Sequence, residues 1–287
     1  VFAAVPWQVN AACGKTTFHP VSPYVPASEV HNAIYLQDPS GQQRAVFDLE
    51  WGGVLASLKQ GTTERIWGHA TGGMVQPTWH TYPTANGEDY NPTPAGDGAA
   101  GNRGTPLLAA RCSDQNTVVL VSGTTDYNAG RSGRYFANTV RKGDTVSTMW
   151  ATPYVVVTTA TFVPNPSGPP SYYLRLTYRI TNLHETENFA WGFELAGYVP
   201  YNQSKYVLFP AACTSLASNC LSSTTPRLVA GLYPGTSYTN GTAFYLSPQA
   251  SHAPTTANFA AFAPDDINQN QSTHLFNAYW TIAPGQT

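Results

Sequence analysis

Residues with useful chemistry crowd the stretch between Trp67 and Asp97. It holds Trp67-Gly68-His69, then Gln76-Pro77-Thr78-Trp79-His80-Thr81-Tyr82, then Tyr90-Asn91-Pro92 and Ala95-Gly96-Asp97. An imidazole exchanges protons near neutral pH, so His69 and His80 are candidate general acids or bases. Amides and carboxylates bind hydroxyls, and aromatic rings cover apolar C–H faces. Trp79, Tyr82, Tyr90, Asn91 and Asp97 are therefore candidates for holding a sugar. The competing reading is structural: Asn91 and Asp97 cap turns while the rings seal a sheet end. His69, His80 and Asp97 could also converge on a metal, but their spacings match no ligand pattern, so no metal is expected.

A second set lies further along the chain. Tyr172, Leu174, Leu176, Tyr178 and Ile180 alternate with Tyr173, Arg175, Thr177, Arg179 and Thr181. Strict alternation marks a half-buried strand. A second apolar series follows in Phe189, Trp191, Phe193 and Leu195, with Glu194 on the other face. The short segment Asn182 to Thr186 suggests an antiparallel hairpin between the two runs. That register would bring Tyr173, Arg175, Arg179 and Glu194 onto one face. There Arg would pair an acidic sugar's carboxylate while Glu or Tyr moved a proton. The alternative is an exposed Arg–Glu pair of small worth.

Composition removes several classes of function. The chain has 287 residues with 14 Lys and Arg against 16 Asp and Glu, scattered rather than clustered. Nucleic-acid binding needs a basic patch, and none is visible. No apolar run approaches the roughly 20 residues of a membrane helix. There is no nucleophile elbow, zincin motif, phosphate loop, dinucleotide glycine pattern or calcium loop, so no cofactor is expected. Charged residues are only 10% and aromatics 13%. Disordered chains show the reverse.

The elements that must position these groups are strands. The 24 Gly and 23 Pro interrupt every candidate helical stripe. Short runs of alternating or β-branched residues recur between them. The expected strands are Ala33–Gln37, Arg44–Trp51, Val54–Lys59, Glu64–Trp67, Thr117–Val121, Arg134–Val140, Thr145–Trp150 and Tyr154–Val163 in the first part. Those two alternating runs follow, then Lys205–Phe209, Arg227–Leu232, Thr242–Leu246, Asn258–Phe262 and His274–Ile282. Such spacing predicts an all-β, two-sheet antiparallel β-sandwich, of supersandwich or jelly-roll type, in one domain over residues 1–287. Residues 69–106 carry little strand signal and read as a long ordered loop, which in compact domains is usually functional.

Four cysteines are present. Cys213 and Cys220 bracket a polar loop and would pair locally. Cys13 would then pair with Cys112 and pin an extended N-terminal segment, residues 1–30. An even count without a C-x-x-C motif fits a disulfide framework and a secreted protein. The start at Val1, without Met, suggests either a removed signal peptide or a trimmed chain. Sequons begin at Asn202, Asn240 and Asn270, surface glycosylation sites if the host glycosylates.

The run Asp48-Leu49-Glu50-Trp51-Gly52-Gly53-Val54-Leu55-Ala56-Ser57-Leu58, followed by Trp67-Gly68-His69 and Tyr90-Asn91-Pro92 with Ala95-Gly96-Asp97, resembles the opening of β-sandwich proteins related to galactose mutarotase and to some polysaccharide lyases. Leu174–Asn182 followed by Trp191–Glu194 resembles their later central strands. The resemblance implies a strand, a Gly-Gly bend and a returning strand, with an aromatic loop closing a sugar groove. By the mutarotase analogy His69 or His80 is the acid and Glu194 the base, although the residues flanking the histidines differ. By the lyase analogy Tyr173 is the base, with Arg175 and Arg179 neutralising a uronate. These readings converge on a secreted carbohydrate-active enzyme of lyase, epimerase or hydrolase type, acting by acid–base chemistry on an oligo- or polysaccharide. The rival is a non-catalytic carbohydrate-binding, adhesin or structural protein, self-assembling through strand edges. Either would have a carbohydrate as partner, with a homo-oligomer compatible with both.

Overall fold

The computed structural model describes residues 12–19, 28–49, 53–66, 76–81, 89–90, 109–126, 150–166, 168–182, 189–196, 205–209, 228–233, 242–246, 256–258 and 276–287. Every regular element among them is a strand. The first group comprises β1 (Ala12–Phe18), β2 (His31–Gln37), β3 (Gln43–Asp48), β4 (Val54–Gln60) and β5 (Thr63–Glu64). The second comprises β6 (Gln76–Thr81), β7 (Asp89–Tyr90), β8 (Ala109–Asp114), β9 (Thr117–Asp126), β10 (Trp150–Pro164), β11 (Tyr172–Asn182) and β12 (Phe189–Ala196). The last comprises β13 (Lys205–Phe209), β14 (Leu228–Tyr233), β15 (Thr242–Leu246), β16 (Thr256–Asn258) and β17 (Phe276–Ile282). No helix of the described residues is long and apolar enough to cross a membrane.

All strand pairings among the described residues are antiparallel, giving sheets in the orders β1-β2-β3-β4-β5, β11-β10-β9-β8, β16-β17-β12-β6-β7 and β13-β14-β15. The expected sandwich is present. Leu36, Ala45 and Phe47 lie on one face of the first sheet, and Val118, Leu120, Val156, Ala160 and Phe162 on one face of the second; all are buried. The same two faces carry Cys13 and Cys112, which form the expected disulfide with Cα atoms 5.9 Å apart. That bond staples edge strand β1 to edge strand β8. On β3, the Gln43 amide donates to the Tyr172 carbonyl of β11 at 2.6 Å, a second tie between the sheets. Cys213 and Cys220 lie outside the described residues.

Local chemistry explains the turns. β4 is entered at Gly53, the second glycine of the bend that the resemblance implies. Gly53 sits at φ 78° and donates its N–H to the Asp48 carbonyl at 2.7 Å. A side chain there would meet the steric penalty of the left-handed region. The register between β3 and β4 shifts after Val46, which pairs with Ser57 while Phe47 pairs with Leu55. The extra residue, Ala56, is buried. Glu64 closes the β4–β5 corner, accepting from the Ser57 hydroxyl at 2.6 Å and the Leu58 N–H at 2.8 Å.

Two expectations about neighbours need correction. β11 has the anticipated alternation, but its partner is β10, register Thr161 to Arg175, and not β12. The hairpin closes through Asn165 and Ser171, whose backbones bond at 2.8 Å, next to Gly168 at φ 123°. Alternation identifies faces and says nothing about which strand lies alongside. The second correction concerns residues 69–106, where β6 and β7 stand inside the expected loop. Pro77 and the nearby glycines mask β6. Pro77 is tolerated because β7 reaches only Trp79 and His80, leaving β6 with a single neighbour at that point. The strands expected at Arg134–Val140 and Thr145–Trp150 lie outside the described residues, apart from Trp150.

The disulfide closes a loop of 99 residues. Replacing Cys13 and Cys112 by Ser is expected to lower stability by about 2–5 kcal/mol in urea unfolding. Burial holds the Tyr178 phenol well above the usual tyrosine range. The folded state therefore keeps that proton to higher pH than the unfolded chain does. Its contribution is complete below pH about 10 and is lost as pH rises further. Tyr178→Phe should flatten that alkaline decline in a stability–pH series.

Candidate functional site

The sheet centred on β12 contains two of the candidate proton-transfer residues, His80 and Glu194. β12 is paired on both sides: Gly192 lies opposite His80 of β6 and Tyr279 of β17, and Glu194 opposite Thr78 and Asn277. Directly opposed residues share a face, and alternate residues along a strand share it too. His80 and Glu194 therefore fall on the same face, one residue pair apart. That face carries Ala190, Gly192, Glu194 and Ala196 on β12, flanked by Thr78 and His80 on β6 and by Asn277 and Tyr279 on β17. Asp89 of β7, opposite His80, joins the same face.

The opposite face has another composition. It carries Phe189, Trp191, Phe193 and Leu195 on β12, with Trp280 and Phe276 on β17. Trp79 lies opposite Phe193, and Tyr90 opposite Trp79, so both belong to this face. Trp79 and Tyr90 thus share the sheet with His80 but not its face. The sheet is amphipathic: one face is aromatic and aliphatic, the other polar with small residues along its middle strand.

Tyr173, Arg175 and Arg179 stand elsewhere, on the outward face of the β11-β10-β9-β8 sheet. Arg175 is opposite Thr161 and Arg179 opposite Val157, and Tyr173 is 43% exposed. Arg175 and Glu194 are not cross-strand neighbours, so the pair expected from the hairpin does not form. His69, Tyr82, Asn91, Asp97 and the sequon residues Asn202, Asn240 and Asn270 lie outside the described residues. Among the described residues, no cluster of three or more His, Cys, Asp or Glu could hold a metal.

One titratable cluster escaped the sequence reading. His31 is completely buried on β2, with its Nδ1 2.6 Å from Asp48 Oδ2 and its Nε2 2.9 Å from Glu29 Oε1. Asp48 is equally buried, while the Glu29 side chain keeps 12% exposure. Each ring nitrogen thus faces a carboxylate oxygen. The group lies on the face of the first sheet turned away from Leu36 and Phe47. With His31 and Asp48 sealed from solvent, the contact is an internal polar anchor between β2 and β3. Residues 31 and 48 meet only through strand pairing, and no local spacing signals it.

The chain matches no family model, and no curated protein matches it. Among solved structures it is similar to a galactose mutarotase-like protein from Clostridium acetobutylicum. The identity is 10%, over 96% of this chain and 96% of that one, with TM-score 0.46. It is also similar to a 4-alpha-glucanotransferase from Thermococcus litoralis, with 10% identity, 90% of this chain covered and TM-score 0.37. The chain spans 36% of the length of that glucanotransferase.

Removing one partner of a buried ion pair strands the other charge in low dielectric. His31→Ala or Asp48→Ala is expected to cost about 3–5 kcal/mol in urea unfolding. Retention of parental stability by either variant would show that the cluster is not an anchor.

Proposed function

We propose that this protein is a carbohydrate-active enzyme that exchanges protons with a sugar by acid–base chemistry, with His80 as acid and Glu194 as base. The observation that carries the reading is the register. His80 and Glu194 lie diagonally on one face of adjacent strands. Diagonal positions have Cβ atoms about 7–8 Å apart. That gap is too wide for a tight pair and wide enough for a substrate atom between two proton-transfer groups. The middle strand contributes the small residues Ala190, Gly192 and Ala196 to that face. Thr78, Asn277 and Tyr279 supply hydroxyl and amide groups of the kind that bind sugar hydroxyls.

Epimerase or hydrolase chemistry fits this arrangement better than lyase chemistry. A lyase must neutralise a uronate, and the same-face positions on β6, β12 and β17 include no Arg or Lys. Arg175 and Arg179 belong to a different sheet. The Cys13–Cys112 disulfide is compatible with work in an oxidising, extracellular setting. The proposal extends to His69 as a second candidate acid and to Tyr82, Asn91 and Asp97 as candidate sugar-binding residues.

The test is a glycan-array screen of the full chain, followed by product analysis on the bound glycans. His80→Ala and Glu194→Gln should each lower kcat by about 10²–10⁴-fold while binding persists. Parental turnover in His80→Ala would remove that residue from the mechanism. Binding without any product from the parent would make the protein a carbohydrate-binding module.

A further inference from the structure

We infer that Asp89 is the positioning residue for His80, an inference that rests on the acid–base reading of His80. β7 consists of two residues, and its register sets Asp89 opposite His80 and Tyr90 opposite Trp79. Asp89 thus belongs to the polar face and Tyr90 to the apolar one. Directly opposed positions have Cβ atoms about 4.5–5.5 Å apart, the separation at which a carboxylate and an imidazole come within hydrogen-bonding reach. The diagonal to Glu194 is longer by roughly 2–3 Å. The register therefore separates the two acidic residues: Asp89 stands directly opposite His80, and Glu194 stands diagonally across from it.

A carboxylate on one ring nitrogen fixes the tautomer and turns the other nitrogen outward. It also stabilises the imidazolium that a proton donor must become before it gives its proton. The titratable residues at same-face positions around His80 are Asp89 on β7, Glu194 on β12 and Tyr279 on β17. The chain makes this kind of pair elsewhere, where His31 meets Asp48 at 2.6 Å. That pair is sealed from solvent; His80 and Asp89 hold directly opposed register positions on the face that bears the candidate sugar-binding residues.

The experiment follows the imidazole signals by NMR through a pH titration of the full chain, with the His80 signal identified by its loss in His80→Gln. In Asp89→Asn the His80 midpoint should fall by about 1 pH unit, because an opposite charge favouring the imidazolium is gone. In Asp89→Glu, which keeps the charge, it should stay near the parental value. The amide spectrum of each variant reports folding. The acidic limb of kcat/KM for the best glycan should move with the midpoint. An unmoved midpoint in folded Asp89→Asn overturns the pairing. A moved midpoint with an unmoved rate profile overturns the positioning role. Failure of the acid–base reading appears separately, as parental turnover in His80→Ala.

Discussion

A strand paired on both sides cannot slip by one residue without turning over the whole face of its sheet. β12 is under that constraint, held by β6 on one side and β17 on the other. Its sequence is written for one register only. Phe189, Trp191, Phe193 and Leu195 alternate with Ala190, Gly192, Glu194 and Ala196. Slipped by one residue against β6, Glu194 would join Trp79 and the aromatic row, and His80 would join Phe193. Desolvating a carboxylate among aromatic rings is costly enough to exclude that arrangement. The hydrophobic face therefore does more than contribute stability. It fixes which residues of β6, β7 and β17 become neighbours on the polar side.

The same logic governs the two-sheet core. Its register places Cys13 and Cys112 on facing surfaces, together with Leu36, Phe47, Val118 and Phe162. The disulfide and the Gln43–Tyr172 hydrogen bond are consequences of that choice of face. The buried His31–Asp48–Glu29 group pins the reverse face of the first sheet. Polar groups placed so deeply are tolerable because each ring nitrogen meets an acceptor.

Sequence carried the fold class and most strand positions, because period-two alternation and turn residues are local signals. The β11 pattern from Tyr172 to Ile180 is the clearest case. The turn at Gly53 and the Cys13–Cys112 pairing were also legible. Neighbours were not. Whether β11 lies beside β10 or β12 depends on long-range packing that alternation leaves open. β6 was hidden by Pro77, and β1 and β8 carry mixed polar residues with a weak pattern. His80 and Glu194 were recognisable by type, and their common face emerges only from register. Asp89 gave no signal, as an acid in a stretch rich in Gly, Pro and Asn reads as a turn residue. His31 and Asp48 gave none either.

β7 is attached to the rest of its sheet through two residue pairs, while β12 and β17 share seven. Cooperative stability grows with the contacts an element makes, so so short a strand belongs to the part of a fold that opens at least cost. Detaching it would leave the sheet intact and take Asp89 away from His80. The residues that define the core and those that complete the polar face are therefore governed by different free energies. Denaturant too dilute to unfold the sandwich could still dismantle the constellation.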